Sequence, residues 1–142
     1  MVARWQTEKF FNFNLGGRIM QWWSDYFDEV DTMQPEKYGR WFADDIELQF
    51  NNAPLISGKA DVLGFLREFT RNFQSIVHSH ATLVGDETCA AGEAVIAFTA
   101  LDGKRFVVRG VTMVAREQDK FRRMAIYADF SEIYAAFAPS VA

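Results

Sequence analysis

Apolar residues recur at helical spacing in three segments of the first half of the chain. Within 17–30 they fall three and four residues apart, which predicts an amphipathic helix. A short second helix is predicted over 35–42, because proline is favoured at the first helical position. The same spacing within 60–73 predicts a third helix.

Elsewhere apolar and polar residues alternate, as they do along a strand with one buried face. Ile46, Leu48 and Phe50 predict a first strand between the second and third helices. Turn signals divide the second half of the chain at 85–87, 102–103 and 117–120. These turns predict a four-stranded antiparallel meander from residue 75 onward.

The two middle strands of this meander, over 88–101 and 104–116, are about twice as long as an ordinary strand, so they should bend. Gly92 and Gly110 are the predicted bulge positions. A short last helix is predicted after Asp129, whose spacing to a following glutamate is that of a capping box. The predicted fold class is therefore α+β, with a cone-shaped curved antiparallel sheet wrapped around three helices of the N-terminal half.

The composition indicates one compact domain over 1–142, since 49% of the 142 residues are apolar. Residues 1–15 are predicted to be an aromatic-rich N-terminal extension of that domain. Cys89 is the only cysteine, which excludes an internal disulfide and a multi-cysteine zinc site. Because both histidines lie on one predicted strand, we predict no metal site.

The charge and the apolar runs exclude two classes of partner. A formal net charge of -4 argues against nucleic-acid binding, because that binding needs a surplus of lysine and arginine on one face. No apolar run approaches the roughly 18 residues of a membrane helix, and the first ten residues are too charged for a signal peptide. We therefore expect a cytoplasmic protein that binds neither nucleic acid nor membrane.

Four short motifs follow one another at the ends of the predicted elements. They are Trp41-Phe42-Ala43-Asp44-Asp45, Phe50-Asn51-Asn52-Ala53-Pro54, Asp102-Gly103 and Ile126-Tyr127-Ala128-Asp129. In this order they resemble the SnoaL-like branch of the nuclear transport factor 2-like superfamily. The resemblance implies a cystatin-like α+β barrel with an internal pocket. This superfamily includes isomerases, cyclases, dehydratases, epoxide hydrolases and non-catalytic binding modules, so the fold does not settle the function.

The resemblance to the ketosteroid isomerases within this superfamily implies a role for Tyr26. Their first-helix tyrosine donates a hydrogen bond to the developing oxyanion, and Tyr26 matches it. Their two functional aspartates correspond to Phe50 and Val111. Neither apolar side chain can transfer a proton, so the isomerase mechanism lacks its base here.

Comparison with the limonene-epoxide hydrolases disfavours epoxide hydrolysis. Asn52 and Tyr127 match residues of that family. The tyrosine that positions water there is Phe50 here, the arginine-x-aspartate pair corresponds to 93–95, and the last acid is Ile126. The groups that activate water in that family are therefore replaced.

Resemblance to two further families of the superfamily implies roles for two acids and a histidine of this chain. The scytalone dehydratases have an aspartate after the first helix that looks like Asp31, and a histidine that looks like His78 or His80. Their second histidine has no counterpart in this chain. The polyketide cyclases use an acid near the last strand, and Asp129 is the nearest match.

A shared pocket requires that the candidate side chains point inward from the same face of the sheet. If Glu93 and Val95 face the concave side of the curved sheet, a three-residue Asp-Gly loop places Val111 opposite Glu93 and Arg109 opposite Val95. A two-residue loop would reverse this arrangement. A tight turn before Thr88 would likewise set the two histidines opposite Glu93 and Val95.

These comparisons give two sets of candidate site residues. The candidate catalytic residues are Tyr26, His78, His80, Glu93 and Asp129. The candidate substrate-binding residues are Trp23, Phe50, Asn52, Phe69, Val95, Arg109, Val111 and Ile126. A histidine exchanges protons near neutral pH, a carboxylate fixes its tautomer, and an arginine binds an enolate oxygen. The set suits proton abstraction beside a carbonyl, followed by isomerisation, ring closure or loss of water, with no cofactor.

A non-catalytic reading of the same residues stays open. The histidines lie on an outer strand, where solvent or an interface would explain them, and Asp129 would serve only as a helix cap. Glu93 and Arg109 would form a structural ion pair. The competing function is then a module that binds an apolar ligand or dimerises. The expected partners are a small apolar metabolite and a second copy of the chain, which would pack through the sheet.

Overall fold

The computed structural model describes residues 20–138, so the predicted extension over 1–15 lies outside the described residues. The helices are α1 (Gln21–Val30), α2 (Pro35–Tyr38), a 3-10 turn (Gly39–Trp41), α3 (Lys59–Thr70) and α4 (Ser131–Phe137). The strands are β1 (Phe42–Phe50), β2 (Ile56–Ser57), β3 (Phe73–Gly85), β4 (Cys89–Ala100), β5 (Arg105–Glu117) and β6 (Lys120–Ala128).

All six strands form one sheet in the order β2-β1-β6-β5-β4-β3. Strands β3 to β6 are the predicted antiparallel meander. Strand β1 pairs with β6 in parallel and with β2 in antiparallel orientation, so the sheet is mixed. The predicted α+β class and curved sheet are confirmed, with the difference that the sheet stays open between β2 and β3.

The central hairpin has the three-residue loop, one of the two alternatives left open by the sequence. Ala100 and Lys104 pair across it, and Gly103 at φ +91° supplies the left-handed residue that such a loop needs. Glu93 consequently pairs with Val111, as predicted from a loop of this length.

The predicted face of this hairpin is nevertheless wrong. Strand β4 buries its even-numbered residues against the helices, so Glu93 is exposed and Val95 is only half-buried. Their partners Val111 and Arg109 are exposed on β5. All four side chains therefore lie on the outer face of the sheet, which we define as the face turned away from the helices.

A β-bulge in β3 explains why His78 and His80 do not share the outer face with these four residues. The register between β3 and β4 shifts at Ala81, so His80 pairs with Ala94 and His78 pairs with Ile96. Both partners are buried on the inner face. Because side chains alternate with a period of two, one inserted residue separates the histidines from Glu93.

Gly92 and Gly110 are not bulges, contrary to the prediction, because the β4–β5 register runs through both without a shift. They are positions of close approach. A Cβ atom at Gly92 would lie 2.5 Å from Cζ2 of Trp23, and one at Gly110 would lie 2.6 Å from Cβ of Ala128. The sheet therefore needs glycine at these two sites for packing.

We expect Gly92→Ala to destabilise the fold by about 1–3 kcal/mol, because the fully buried Trp23 would have to move. Gly64→Ala is the control: nothing lies within 4 Å of its Cβ position in α3, so this change should stabilise by about 0.5–1 kcal/mol. Urea denaturation measures both free energies. Equal stability of Gly92→Ala and the wild type would contradict the packing described here.

The interior consists of two aromatic clusters. One is centred on Phe121 of β6 and the α1 residues Trp23 and Tyr26. The other is centred on Phe50 of β1 and Phe130 before α4, whose rings stack 5.1 Å apart. A cavity opens where the two clusters meet.

Candidate functional site

The cavity lies between α1, α3 and the inner face of the sheet, and its volume is about 80 Å³. Its walls come from both aromatic clusters. The lining residues are Tyr26, Phe27, Val30, Met33, Tyr38, Phe50, Leu66, Phe69, Thr70, Ile76, His78, Ile96, Phe98, Thr112, Met124, Ile126 and Phe130. Among these described residues none is a lysine, arginine, aspartate or glutamate. The cavity therefore suits an uncharged ligand.

His78 is bound by a carboxylate at the wall of this cavity. Oδ1 of Asp31 lies 2.6 Å from Nδ1 of His78, and Oδ2 accepts a 3.0 Å hydrogen bond from the backbone N–H of the same residue. Asp31 directly follows α1, and its side chain is 23% exposed, against 12% for His78. This two-point contact fixes the imidazole orientation and leaves Nε2 as the ring nitrogen available to a ligand.

Four residues with hydroxyl groups line the same cavity, of which Thr70 is already bonded to the carbonyl of Leu66. The hydroxyl of Tyr26 donates to the thioether sulfur of Met124 over 3.7 Å, which is a weak acceptor. Burial, with a smaller effect of Tyr38, raises the pKa of Tyr26 well above its ordinary value. Burial also raises the pKa of Tyr38 to about 12. Both phenols stay protonated at neutral pH and can donate to a ligand oxygen, and Thr112 adds a third hydroxyl.

His80 lies deeper than His78. Its ring is 5.5 Å from that of Trp23 and 4.6 Å from that of Phe27, and the residue is 8% exposed. Burial, together with the nearby charge of His78, lowers the pKa of His80 to about 3. This imidazole is therefore neutral at physiological pH, and its position makes it a packing neighbour of the Asp31–His78 pair.

The neutral state of His80 makes stability depend on pH. Unfolded chains protonate histidine near its model value of 6.5, whereas folded His80 stays neutral down to about 3. The unfolded state therefore binds one more proton in this window, and stability falls as the pH falls, by up to about 1.4 kcal/mol per pH unit.

We expect His80→Gln to flatten this slope between pH 6.5 and 4.5, as measured by urea denaturation across that range. Asp86→Asn is the control, because the hydrogen bonds from Thr88 lower the pKa of Asp86 below its ordinary value and out of the window. An unchanged slope in His80→Gln would contradict the buried neutral imidazole.

The structure brings together five of the predicted site residues. Tyr26, Phe50, Phe69, His78 and Ile126 line the cavity. Trp23 and His80 line a smaller polar cleft on the other side of His78, together with Ser24, Phe27, Asp28 and Asp31. The expectation that the histidines are solvated is wrong, because both point to the inner face.

The other predicted site residues lie outside the cavity. Glu93, Val95, Arg109 and Val111 occupy the outer face, as described above. Asn52 is exposed in the turn after β1.

The residue that holds this turn is Asn51, the neighbour of Asn52. Its backbone is left-handed at φ +49°, and its amide nitrogen donates to the carbonyl of Ala128 over 2.8 Å. Its amide oxygen accepts from the backbone N–H of Ala128 over 2.9 Å. Asn51 thus ties the end of β1 to the end of β6.

Asp129 is exposed beside α4 rather than in the cavity. Its Oδ1 accepts a 3.0 Å hydrogen bond from the backbone N–H of Ser131. Hydrogen bonding to the side chain of Ser131, and then to its backbone, lowers the pKa of Asp129. The N-cap position belongs to Phe130, one residue later than the capping-box spacing predicted. These contacts give Asp129 a local structural role at the start of α4.

Three polar cavity or wall residues were not among the predicted site residues. Asp31 entered only through its resemblance to the dehydratase aspartate, while Tyr38 and Thr112 were not predicted at all. Tyr38 belongs to an amphipathic helix and Thr112 to an alternating strand, so their spacing gives a usable signal for burial but none for function.

Within residues 20–138, no three histidine, cysteine, aspartate or glutamate side chains are arranged to hold a metal ion. No helix in this part of the chain has the length and apolar character needed to cross a bilayer.

Comparisons with known proteins agree on the fold. A polyketide cyclase-like protein from Xanthomonas campestris pv. campestris superposes with a TM-score of 0.72 at 16% identity, covering 83% of this chain and 95% of that chain. A nuclear transport factor 2-like protein from Anabaena variabilis gives 0.69 at 18% identity, covering 79% and 87%. TerC, co-crystallised with polyporic acid, gives 0.66 at 13% identity, covering 78% and 90%. These likenesses show the fold alone.

A search of curated protein sequences finds no significant match. The family model described as a SnoaL-like domain matches residues 23–124, from α1 to β6. That match includes the first helix, all six strands up to Met124, and both members of the Asp31–His78 pair. The chain therefore belongs to the SnoaL-like domain family.

Proposed function

We propose that this protein is a cofactor-free enzyme that isomerises, cyclises or dehydrates an apolar, carbonyl-bearing metabolite. The observation that carries the proposal is the 2.6 Å contact between Asp31 and His78 at the wall of an apolar cavity. A carboxylate bound to Nδ1 orients an imidazole and stabilises the imidazolium that forms when Nε2 takes a proton.

The chemistry starts with removal of a proton from the carbon beside the ligand carbonyl. Nε2 of His78 accepts this proton, the C–H electron pair moves into the new C=C bond, and the carbonyl oxygen gains the charge. Tyr26 and Tyr38 are the donors available to that oxygen, and their raised pKa values keep them protonated. Hydrogen-bond donors in a dry cavity stabilise such an oxyanion far better than water does.

The enolate then has three outcomes that need no cofactor. Return of the proton from His78 to another carbon gives an isomer. Attack of the enolate carbon on a second carbonyl of the same molecule closes a ring, and the new alkoxide takes the proton. Expulsion of a β-hydroxyl group gives a dehydrated product, with the proton from His78 converting the leaving hydroxide to water.

Two observations support the ligand class. The cavity walls are uncharged, and aromatic rings from β1, α3 and the segment before α4 supply flat contact surfaces. Its volume of about 80 Å³ is smaller than the roughly 150 Å³ cavity that admits benzene, so a larger ligand must displace a wall residue such as the half-buried Met33. The likeness to a polyketide cyclase-like protein and to TerC agrees with a cyclic ligand.

The proposal is tested by turnover of a panel of neutral cyclic ketones and β-hydroxy ketones, followed by chromatography with mass detection. For any substrate found, we expect Tyr26→Phe to lower kcat about 100-fold or more, because the cavity loses a donor to the oxyanion. Tyr134→Phe is the control, because Tyr134 is 53% exposed on α4 and does not line the cavity. An unchanged kcat in Tyr26→Phe would contradict its assigned role.

The second candidate function is a binding module without catalysis. It is favoured by Phe50 and Ile126, which line the cavity and replace polar or acidic residues of the enzymes that the chain resembles. In that function the cavity binds an apolar ligand unchanged. Turnover of the same panel of ketones distinguishes the two functions, because a wild-type binding module would bind ligands without converting them.

We also propose that a second copy of the chain packs on the outer face of the sheet. Val77, Val107, Val111, Met113 and Tyr127 are exposed there, between 37% and 62% of their surface. Contiguous exposed apolar residues of this kind mark interaction surfaces. Sedimentation equilibrium with Val107→Glu as the variant tests this proposal.

A further inference from the structure

The polar cleft, which lies on the opposite side of His78 from the apolar cavity, is large enough to hold water. Its volume is about 60 Å³, whereas one buried water needs roughly 10–15 Å³. The cleft therefore has room for more than one water molecule. It shares His78 and Phe27 with the apolar cavity, so the imidazole separates a dry side from a polar side.

One residue that lines this cleft, Trp23, carries a buried donor without an acceptor among residues 20–138. Trp23 is fully buried, and its Nε1–H has no hydrogen-bond partner among the described residues. Buried polar groups are almost always bonded, and a group that lacks a protein partner in a polar cavity is commonly bonded to ordered water. A water molecule in the cleft would supply the acceptor that Trp23 lacks among residues 20–138.

The other end of the cleft reaches solvent through α1. Ser24 is half-buried and Asp28 is exposed, one helical turn before Asp31. Partial burial, together with Asp31 and Asp25, raises the pKa of Asp28. Polar groups thus run from an exposed carboxylate, past a hydroxyl, to the buried indole and the Asp31–His78 pair.

We propose that this cleft is an ordered-water site that gives solvent protons access to the Asp31–His78 pair, and that Asp28 positions those waters. The role in turnover rests on the proposed function: while Nε2 of His78 carries the ligand's proton on the cavity side, waters in the cleft solvate the Asp31 carboxylate and exchange the proton at Nδ1. This exchange replaces one Nδ1 proton by one water proton, so the number of protons on the pair is unchanged and the proton at Nε2 is the one returned to the product.

The test measures hydrogen exchange on the ligand-free protein by NMR. The Nδ1–H proton of His78 is assigned by its loss in His78→Gln, and its exchange with water is read by saturation transfer. We expect Asp28→Asn to slow this exchange at least about tenfold, because a positioned proton-transfer group is removed. Ser24→Val, which fills the cleft with methyl groups, should slow it similarly.

Asp61→Asn is the matched control, because Asp61 is an exposed aspartate in the first turn of α3 and does not line the cleft. Its exchange rate should equal that of the wild type. A rate within about twofold of wild type in Asp28→Asn, well below the contribution of such a group, would overturn the proposal. So would a high-resolution crystal structure whose cleft lacks water, or in which Trp23 Nε1 donates to a protein atom. None of these measurements uses a substrate, so their outcome does not depend on whether the protein is an enzyme.

Discussion

Replacing His78 by glutamine is expected to lower kcat on any substrate about 10²–10⁴-fold, the range that one general acid–base group contributes. Glutamine keeps a similar shape and a hydrogen-bonding end, but it cannot accept a proton from carbon. The apolar and aromatic residues of the cavity wall are unchanged, so ligand binding should weaken little. Comparison of kcat with the dissociation constant from calorimetry separates the two effects.

Asp129→Asn is the matched control for this experiment, since Asp129 lies outside the cavity and bonds only to the start of α4. Its kcat should match that of the wild type. Full turnover in His78→Gln, or loss of turnover in Asp129→Asn, would place the chemistry elsewhere in the molecule.

Phe121→Ala is expected to cause the largest loss of stability, about 3–5 kcal/mol, as for other buried phenylalanines. Phe121 is fully buried, and its ring centroid lies 4.7 Å from that of Tyr26 and 5.7 Å from that of Trp22. The substitution leaves a cavity between α1 and β6, which the rigid strand pairing of β6 cannot close. Urea denaturation measures the loss.

Leu101→Ala serves as the control, because Leu101 is 66% exposed in the β4–β5 loop. Its effect should stay within about 0.5 kcal/mol, as at other exposed sites. A comparable loss in both variants would mean that Phe121 is not the centre of the first aromatic cluster.

The elements that local spacing defines were predictable from the sequence. The helix over 60–73 and the meander after residue 75 follow from periodicities of 3.6 and 2, which depend only on neighbouring residues. The parallel pairing of β1 with β6 was not predictable in this way. It joins residues such as Phe50 and Ile126 that lie far apart in the chain, and no local signal records that contact.

The inward-facing residues were harder to predict, because a strand's face depends on single-residue register. The pairing of Glu93 with Val111 is the one expected for a three-residue loop, one of the two loop lengths that the sequence left open, yet both residues face outward. The bulge at Ala81 then separates them from His80. A bulge at an alanine leaves no mark in an alternating pattern, so the predicted grouping of four polar residues did not form.

Asp31 shows a second reason why part of the site could not be predicted from residue spacing. It follows the last turn of α1 and looks like an ordinary helix-end acid, and only the fold brings it within 2.6 Å of His78, forty-seven residues later. The resemblance to the dehydratases pointed to both residues. Spacing alone could not, because their contact crosses from a helix end to a sheet edge.

A crystal structure with an unreactive analogue of an identified ligand would test the central claim most directly. The account predicts the ligand inside the cavity, its carbonyl oxygen about 2.6–3.2 Å from the hydroxyl of Tyr26 or Tyr38, and its adjacent carbon facing Nε2 of His78. A ligand on the outer face of the sheet, or one whose carbonyl points away from these hydroxyls, would contradict it.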